Sequence, residues 1–204
     1  MAEKQRGTYI ILDGCDGTGK DTQADLLMNR FRTQGNTVLR LNEPDDTLPT
    51  GKLLRQMLKK GSYEDAHAAM FLADRMAMLS TKVRPALEAG QDVVCCRCWM
   101  STLVYQQDQW PLPWLKSIHE QLPSKADVLI VLDLDPKIAL ERSRKRPGPN
   151  EFYEKFDTLQ RNRERYKELA TSCPQFLAPD ARVLIIDASG SISEVHDRII
   201  KALA

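Results

Sequence analysis

Short apolar runs separated by helical stretches dominate the chain, the mark of repeated strand–helix units around a mostly parallel sheet. The runs lie at 9–13 (YIILD), 38–42 (VLRLN), 92–96 (DVVCC), 128–133 (VLIVLD) and 183–187 (VLIID). Most are continuously apolar rather than alternating, as strands are when helices cover both faces of a sheet. Helices are predicted at 20–34, 51–60, 64–89, 113–121, 136–145, 152–172 and 191–204. Asp135 followed by Pro136 supplies an N-cap and a first-turn proline, and Gly90 closes the long helix before it. The clearest loops are 109–113 and 147–150, and no repeat or domain boundary interrupts the pattern. The expectation is an α/β fold, a five-stranded parallel sheet with helices on both faces, in one domain spanning 1–204.

Composition narrows the function classes. With 42% hydrophobic and 28% charged residues the chain matches a folded globular protein rather than a disordered or membrane-spanning one. Lys plus Arg number 29 against 28 Asp plus Glu, a net charge of +1, so no bulk basic field favours nucleic acid. The first seven residues are polar and lack a signal peptide's apolar core, and no run approaches a membrane span. A cytoplasmic location is expected. Five cysteines, three of them crowded at Cys95, Cys96 and Cys98, fit a reducing compartment better than a disulfide framework.

Directly after the first predicted strand stand Gly14, Cys15, Asp16, Gly17, Thr18, Gly19, Lys20, Asp21 and Thr22, with a helical pattern behind them. This is the G-x-x-x-x-G-K frame of a P-loop in its strand–loop–helix setting, which a chance glycine-rich turn would lack. Glycines let backbone N–H groups curl around phosphate, the helix N-terminus adds partial positive charge, and Lys20 reaches the β and γ oxygens of ATP. The frame departs at Asp21, where Ser or Thr normally offers a hydroxyl to magnesium. Two roles for Asp21 stand open: a hard carboxylate ligand for Mg2+, or a surface acid favoured by the first helical turn. Thr22 lies about 100° further round the helix and is no substitute.

Further segments follow in order. Glu43-Pro44 ends the second strand; Met70-Phe71-Leu72-Ala73-Asp74-Arg75 precedes Pro85-Ala86-Leu87 and Gly90; Arg97 is followed by Ser101, Tyr105 and Gln106; Leu132-Asp133-Leu134-Asp135-Pro136 closes the fourth strand. With Asp16 and Thr22-Gln23, these segments resemble the motifs of the thymidylate kinase family. The resemblance implies a P-loop fold of the nucleoside monophosphate kinase type. It also implies transfer of the γ-phosphoryl group of ATP to dTMP, with Mg2+ as cofactor and a homodimer as the assembly. Such a reaction asks mainly for positioning and charge neutralisation. By the same resemblance Phe71 stacks on the pyrimidine, Arg75 bonds the base edge beside Ser101 and Thr102, and Tyr105 presses where a 2′-hydroxyl would stand. Arg97 holds the acceptor phosphate and Asp16 faces the acceptor's sugar and phosphate. The basic run Arg142, Arg144, Lys145 and Arg146 resembles the start of a lid, about 142–154. Arg142 and Arg146 would there fold over the transferring phosphate. Structural alternatives stand beside these roles: core aromatics for Phe71 and Tyr105, a solvated pair for Asp74 and Arg75, and a solvated charge run for the lid.

The chain departs from the family pattern at Cys96 and Cys98, which replace the aspartate and tyrosine of Asp-Arg-Tyr. A neutral thiol is a poor magnesium partner, so a carboxylate lost at Cys96 and gained at Asp21 roughly keeps the charge near the metal. Asp45-Asp46 stands where many members carry Gly-Gly or an arginine. Two acids there repel an acceptor phosphate unless they turn away, and Arg55 offers replacement positive charge. That opens a modified deoxypyrimidine (5-hydroxymethyl-dUMP, or the base in DNA) as acceptor. A polyphosphate-using kinase and a non-catalytic nucleotide-binding protein are the remaining alternatives. Cys96 and Cys98 are expected on one strand face, as buried thiols or, with Cys95 and Cys15, as zinc ligands. His67, His119 and His196 carry no catalytic pattern.

Overall fold

The computed structural model describes residues 6–144 and 156–204. The predicted helix start at 152 and the lid beyond Arg144, Arg146 included, lie outside the described residues. Five strands, β1 (Tyr9–Gly14), β2 (Val38–Asn42), β3 (Asp92–Cys96), β4 (Ala126–Asp133) and β5 (Leu177–Asp187), pair in parallel in the order β2-β3-β1-β4-β5. Every residue of β1 is buried, so both faces of the central strand are covered and its run is apolar without alternation.

The helices are α1 (Lys20–Thr33), α2 (Pro49–Lys60), α3 (His67–Met78), α4 (Arg84–Glu88), α5 (Trp99–Tyr105), α6 (Leu112–Ser117), α7 (Pro136–Arg144), α8 (Phe156–Ser172) and α9 (Ile192–Leu203). One layer holds α1 and α9 in mutual contact, over β1 to β3 and over β5 respectively. Another holds α5 against α8, over β1, β4 and β5. The register sets Leu12 beside Cys96 and Gly14 beside Leu132. The carboxyl ends of β1, β3 and β4 thus meet at mid-sheet, where open α/β sheets bind ligands.

Three departures from the sequence pattern have physical causes. The helix expected over 64–89 divides into α3, a wider π turn at Leu79–Val83, and α4. Pro85 has no N–H to give back to the preceding turn, and the wider turn takes up that missing bond. β5 starts earlier than its apolar core, at Leu177, because an irregular register between Ala126 and Val128 lets an edge strand carry Pro179. α5 was hidden in WMSTLVY: all seven residues are buried, so no amphipathic period marks it.

The last helix shows what local chemistry contributes. Ser191 accepts a bond from the Glu194 N–H at 3.3 Å, and Glu194 accepts one from the Ser191 N–H at 2.7 Å, a complete capping box. Ser191→Ala is expected to lower stability by about 1 kcal/mol. Urea unfolding should show a lower midpoint with unchanged slope, and an unmoved midpoint would show that the cap adds nothing.

Candidate active site

The loop after β1 is shaped by close backbone approaches. A Cβ at Gly14 would meet the Leu132 carbonyl at 2.6 Å, and one at Gly17 the Ala139 carbonyl at 2.6 Å; both glycines have positive φ, 144° and 85°. The second approach seats α7 directly on the loop. Lys20 opens α1 almost fully buried and folds back, donating to the Cys15 carbonyl at 3.2 Å and to Asp16 Oδ1 at 3.3 Å.

Asp16 is the meeting point of the predicted site. Its Oδ1 also accepts from Arg97 at 2.5 Å, while Oδ2 accepts from the Tyr105 hydroxyl at 3.2 Å. Burial alone would raise its pKa, but the Arg97 and Lys20 cations outweigh burial and hold the carboxyl below its usual range. Arg97 has a left-handed backbone (φ 68°), and its guanidinium lies 5.8 Å from the Tyr105 ring centre. Lys20, Arg97 and Tyr105, from two separate motifs with Asp16, therefore all contact Asp16 directly.

Beneath them sits Asp13, which the sequence did not mark. It is wholly buried and accepts from the Gly14, Cys98 and Ser101 N–H groups and from the Ser101 and Tyr166 hydroxyls, at 2.8–3.2 Å. Ser101 thus faces Asp13 and Tyr166. Cys98 is not on the strand with Cys96: its Sγ caps α5, accepting from the Met100 N–H at 3.4 Å. All five cysteines are buried and free, and among the described residues no His, Cys, Asp and Glu cluster could hold a metal, which removes the zinc alternative there.

Arg75 is buried too, and Asp74 beside it turns elsewhere, so the two form no solvated pair. Glu43 Oε2 accepts from Arg75 Nε and Nη2 at 2.8 and 2.6 Å; Thr102 Oγ1 accepts from Nη2 at 3.2 Å. His119 Nε2 lies 2.7 Å from Arg75 Nη1, and its Nδ1 lies 2.7 Å from the Leu115 carbonyl. The carbonyl can only accept, which puts the proton on Nδ1 and leaves Nε2 to accept from Arg75. Burial and then Arg75 drive His119 down to about 3, so it is neutral. Burial raises the Glu43 pKa, and the paired Arg75 guanidinium, with two hydrogen bonds to Oε2, pulls it back toward the ionised form. Phe71, on α3 four residues earlier, is partly exposed.

The two acids of the next loop are each matched by a cation. Asp45 pairs with Lys82 at 2.5 Å and accepts from Thr47; Asp46 pairs with Arg55 at 3.0 Å. Asp74 accepts from the Asp45 N–H at 2.9 Å and the Thr50 hydroxyl at 2.7 Å. Arg55 also donates to the Pro44 carbonyl at 2.9 Å, so its charge is engaged within this loop.

Asp21 is two-thirds exposed, with Oδ1 at 3.4 Å from Arg40 Nη2. The same Nη2 lies 3.3 Å from Cys96 Sγ, and Arg40 is further held by Asp25 at 2.9 Å and Asn42 at 2.6 Å. Burial pushes the Cys96 thiol up to about 12, so it is neutral. An exposed carboxylate at the head of α1 beside the phosphate loop fits Mg2+, which binds through one or two carboxylates plus substrate phosphates. Arg142 is not aimed at the P-loop: it donates to the Ala188 and Gly190 carbonyls at 3.1 and 2.9 Å, beyond β5.

Sheet and loop define the class, an α/β protein of P-loop kinase fold. A family model described as thymidylate kinase matches residues 12–199. A protein of Pyrococcus abyssi called "Probable thymidylate kinase" is 36% identical over 203 residues, covering 96% of this chain and 95% of its own. One of the same description from Thermococcus kodakarensis is 35% identical over 94% of this chain and 95% of its own. A third, from Methanosarcina mazei, is 32% identical over 96% and 95%. The chain belongs to the thymidylate kinase family, and so to the nucleoside monophosphate kinases. Among the described residues no helix is long and apolar enough to cross a membrane.

Because the folded-state pKa of Asp16 is depressed, its stabilisation is present above its unfolded value near 4 and disappears as acid protonates it. Asp16→Asn is therefore expected to lower Tm at pH 7, with a gap to wild type that narrows below about pH 4. A gap that stays constant between pH 7 and 3 would mean that Asp16 does not act through its charge.

Proposed function

We propose that the protein transfers the γ-phosphoryl group of ATP to dTMP, giving ADP and dTDP. The contact of Asp16, Lys20, Arg97 and Tyr105 at the carboxyl ends of β1 and β3 carries this reading, and the names of the relatives support the acceptor. An acceptor phosphate oxygen attacks the γ-phosphorus; the bond from that phosphorus to the β,γ-bridging oxygen breaks, and ADP leaves with the electron pair. Lys20 exchanges its hold on the Cys15 carbonyl for the β and γ oxygens, and the P-loop N–H groups cradle the phosphates. Arg97, with its planar fork, binds the acceptor phosphate, and Asp16 keeps that fork and Lys20 on one side of the transfer path.

Tyr105 lies against the acceptor's sugar and Phe71 on its base. Arg75 gives the base edge the Nη1 hydrogen not used by His119; Thr102 acts through Arg75, and Ser101 through Asp13. Asp21, together with the bound phosphates, would hold Mg2+, which would supply charge neutralisation during the transfer. Arg142 fixes the loop after β5 on the ATP side, while Arg146 belongs to the lid that covers the transfer. Asp45 and Asp46, matched by Lys82 and Arg55, leave room for an ordinary acceptor phosphate. A homodimer is part of the reading, supported by exposed Leu53 and Met76 on the adjoining helices α2 and α3.

A coupled ADP-release assay with MgATP against dTMP, dUMP, 5-hydroxymethyl-dUMP, dCMP, dGMP and dAMP is expected to show clear preference for dTMP. Lys20→Ala should cut kcat at least ~100-fold, the scale of losing one charge-stabilising donor. Preference for the hydroxymethylated nucleotide would transfer the assignment to it. Tight ATP binding with no transfer to any acceptor would sink the kinase reading. Light scattering at micromolar protein should give twice the mass of one chain, and a single-chain mass would remove the dimer.

Asp21→Ser is expected to raise the magnesium concentration needed for half-maximal turnover. Cys96→Asp in the same chain should bring it back toward wild type. If Asp21→Ser matches wild type at low magnesium, Asp21 is not the metal's carboxylate.

A further inference from the structure

Behind Arg75 the core leaves a small void with about 10 Å3 of room for a water-sized sphere, bounded by Tyr9, Glu43, Arg75, Cys98, Trp99 and Phe176 among others. Two of these walls bring buried polar groups with no hydrogen-bond partner, Glu43 Oε1 and Trp99 Nε1. The groups are complementary but do not bond each other: an indole N–H can only donate, and an ionised carboxylate oxygen can only accept. Leaving both dry is costly, since a buried unsatisfied polar group forfeits its hydration without return. The remaining orphaned side-chain atoms among the described residues belong to Trp110 and Asn162, neither of which borders this void.

The carboxylate concerned is the one that aims Arg75. Glu43 commits a single oxygen, Oε2, to both Arg75 Nε and Nη2, and leaves Oε1 without a partner on a residue that lines the void. The Trp99 ring is held against Phe176, with centroids 4.7 Å apart, so its N–H has little freedom to seek another acceptor. A site needs about one water's volume and at least two polar partners to hold a water, and both conditions are met.

We propose that this void holds one ordered water, accepting from Trp99 Nε1–H and donating to Glu43 Oε1, and that it fixes the Glu43 carboxylate which orients Arg75. Trp99 and Glu43 are then positioning residues that act on the acceptor's base through Arg75. This second limb rests on the dTMP reading, whereas the water itself does not.

The test is a high-resolution crystal structure of the wild-type protein together with steady-state kinetics of Trp99→Phe, which keeps the packing against Phe176 and removes the donor. A density peak within hydrogen-bond reach of both atoms is expected in the wild type and absent in the variant. KM for dTMP should rise about three- to tenfold, the scale of one hydrogen bond, with kcat within about twofold. A dry void in the wild type overturns the water. An unchanged KM in a Trp99→Phe protein that has lost the peak overturns the positioning role. Should Trp99→Phe not fold, Glu43→Gln keeps the volume and weakens the grip on Arg75, and KM for dTMP should rise; an unchanged KM there overturns the positioning role. If the wild-type protein turns over no dTMP, the functional reading fails while the density still decides the water.

Discussion

One buried carboxylate organises the working end of this sheet. Asp13 closes β1 with no exposure to solvent, and its two oxygens collect donors from the first residue of the P-loop, from the head of α5 and from the middle of α8. A charge taken out of water costs several kcal/mol, and only a full set of hydrogen bonds offsets that. The donors come from segments up to 153 residues apart in sequence, so the loop, α5 and α8 can only be satisfied together. This coupling puts the Arg97 and Tyr105 side chains, on either side of Ser101, within reach of Asp16. The P-loop is thereby shaped from below by hydrogen bonds as well as by its glycines.

Charge pairing continues outward from that centre. Asp16 is held between two cations and Glu43 against a third, and each pair sits where burial makes a lone charge expensive. Lys20 and Arg97 are thus both occupied by Asp16, which keeps two neighbouring cations from repelling each other. On the proposed function, incoming phosphates would compete with a carboxylate already in place rather than enter a bare positive pocket. Arg97 carries a left-handed backbone at the same point, a conformation that costs an arginine on the order of 1 kcal/mol or more. Its N–H bond to the Leu12 carbonyl at 2.9 Å and the grip of Asp16 on its guanidinium hold it there.

Much of this was legible in the residues. The continuous apolar runs located all five strands, because burial on both faces writes itself into composition, and the glycine spacing with Lys20 located the phosphate loop. Resemblance brought forward Asp16, Arg97 and Tyr105, which the fold then sets side by side. Asp13, Glu43 as partner of Arg75, His119 and Arg40 were not marked as a group. Their roles rest largely on contacts between segments far apart in sequence, up to 153 residues for Asp13 and Tyr166, and no local period or spacing encodes such contacts. His119 shows the limit well: a lone histidine in the turn after α6 has no pattern, yet its neutral ring is the acceptor for a buried guanidinium. Arg40 left one trace, a cation inside an otherwise apolar strand, whose meaning depended on what lay across the sheet edge.

That cation changes how the two departures at positions 21 and 96 combine. Moving a carboxylate from one position to the other would keep the local charge only if nothing else moved, but Arg40 spans both, 3.4 Å from Asp21 and 3.3 Å from Cys96. The neutral thiol leaves the guanidinium without an anion on that side, so Asp25 and Asp21 supply it instead. On the proposed role of Asp21, a metal ion would meet a carboxylate already shared with a fixed positive charge. The share is small: Asp21 is largely exposed and the separation long, and such surface pairs contribute only ~0–1 kcal/mol. Arg40 keeps its stronger partners, Asp25 and Asn42, whether or not Asp21 turns away, and so would remain a fixed cation beside any metal that Asp21 holds.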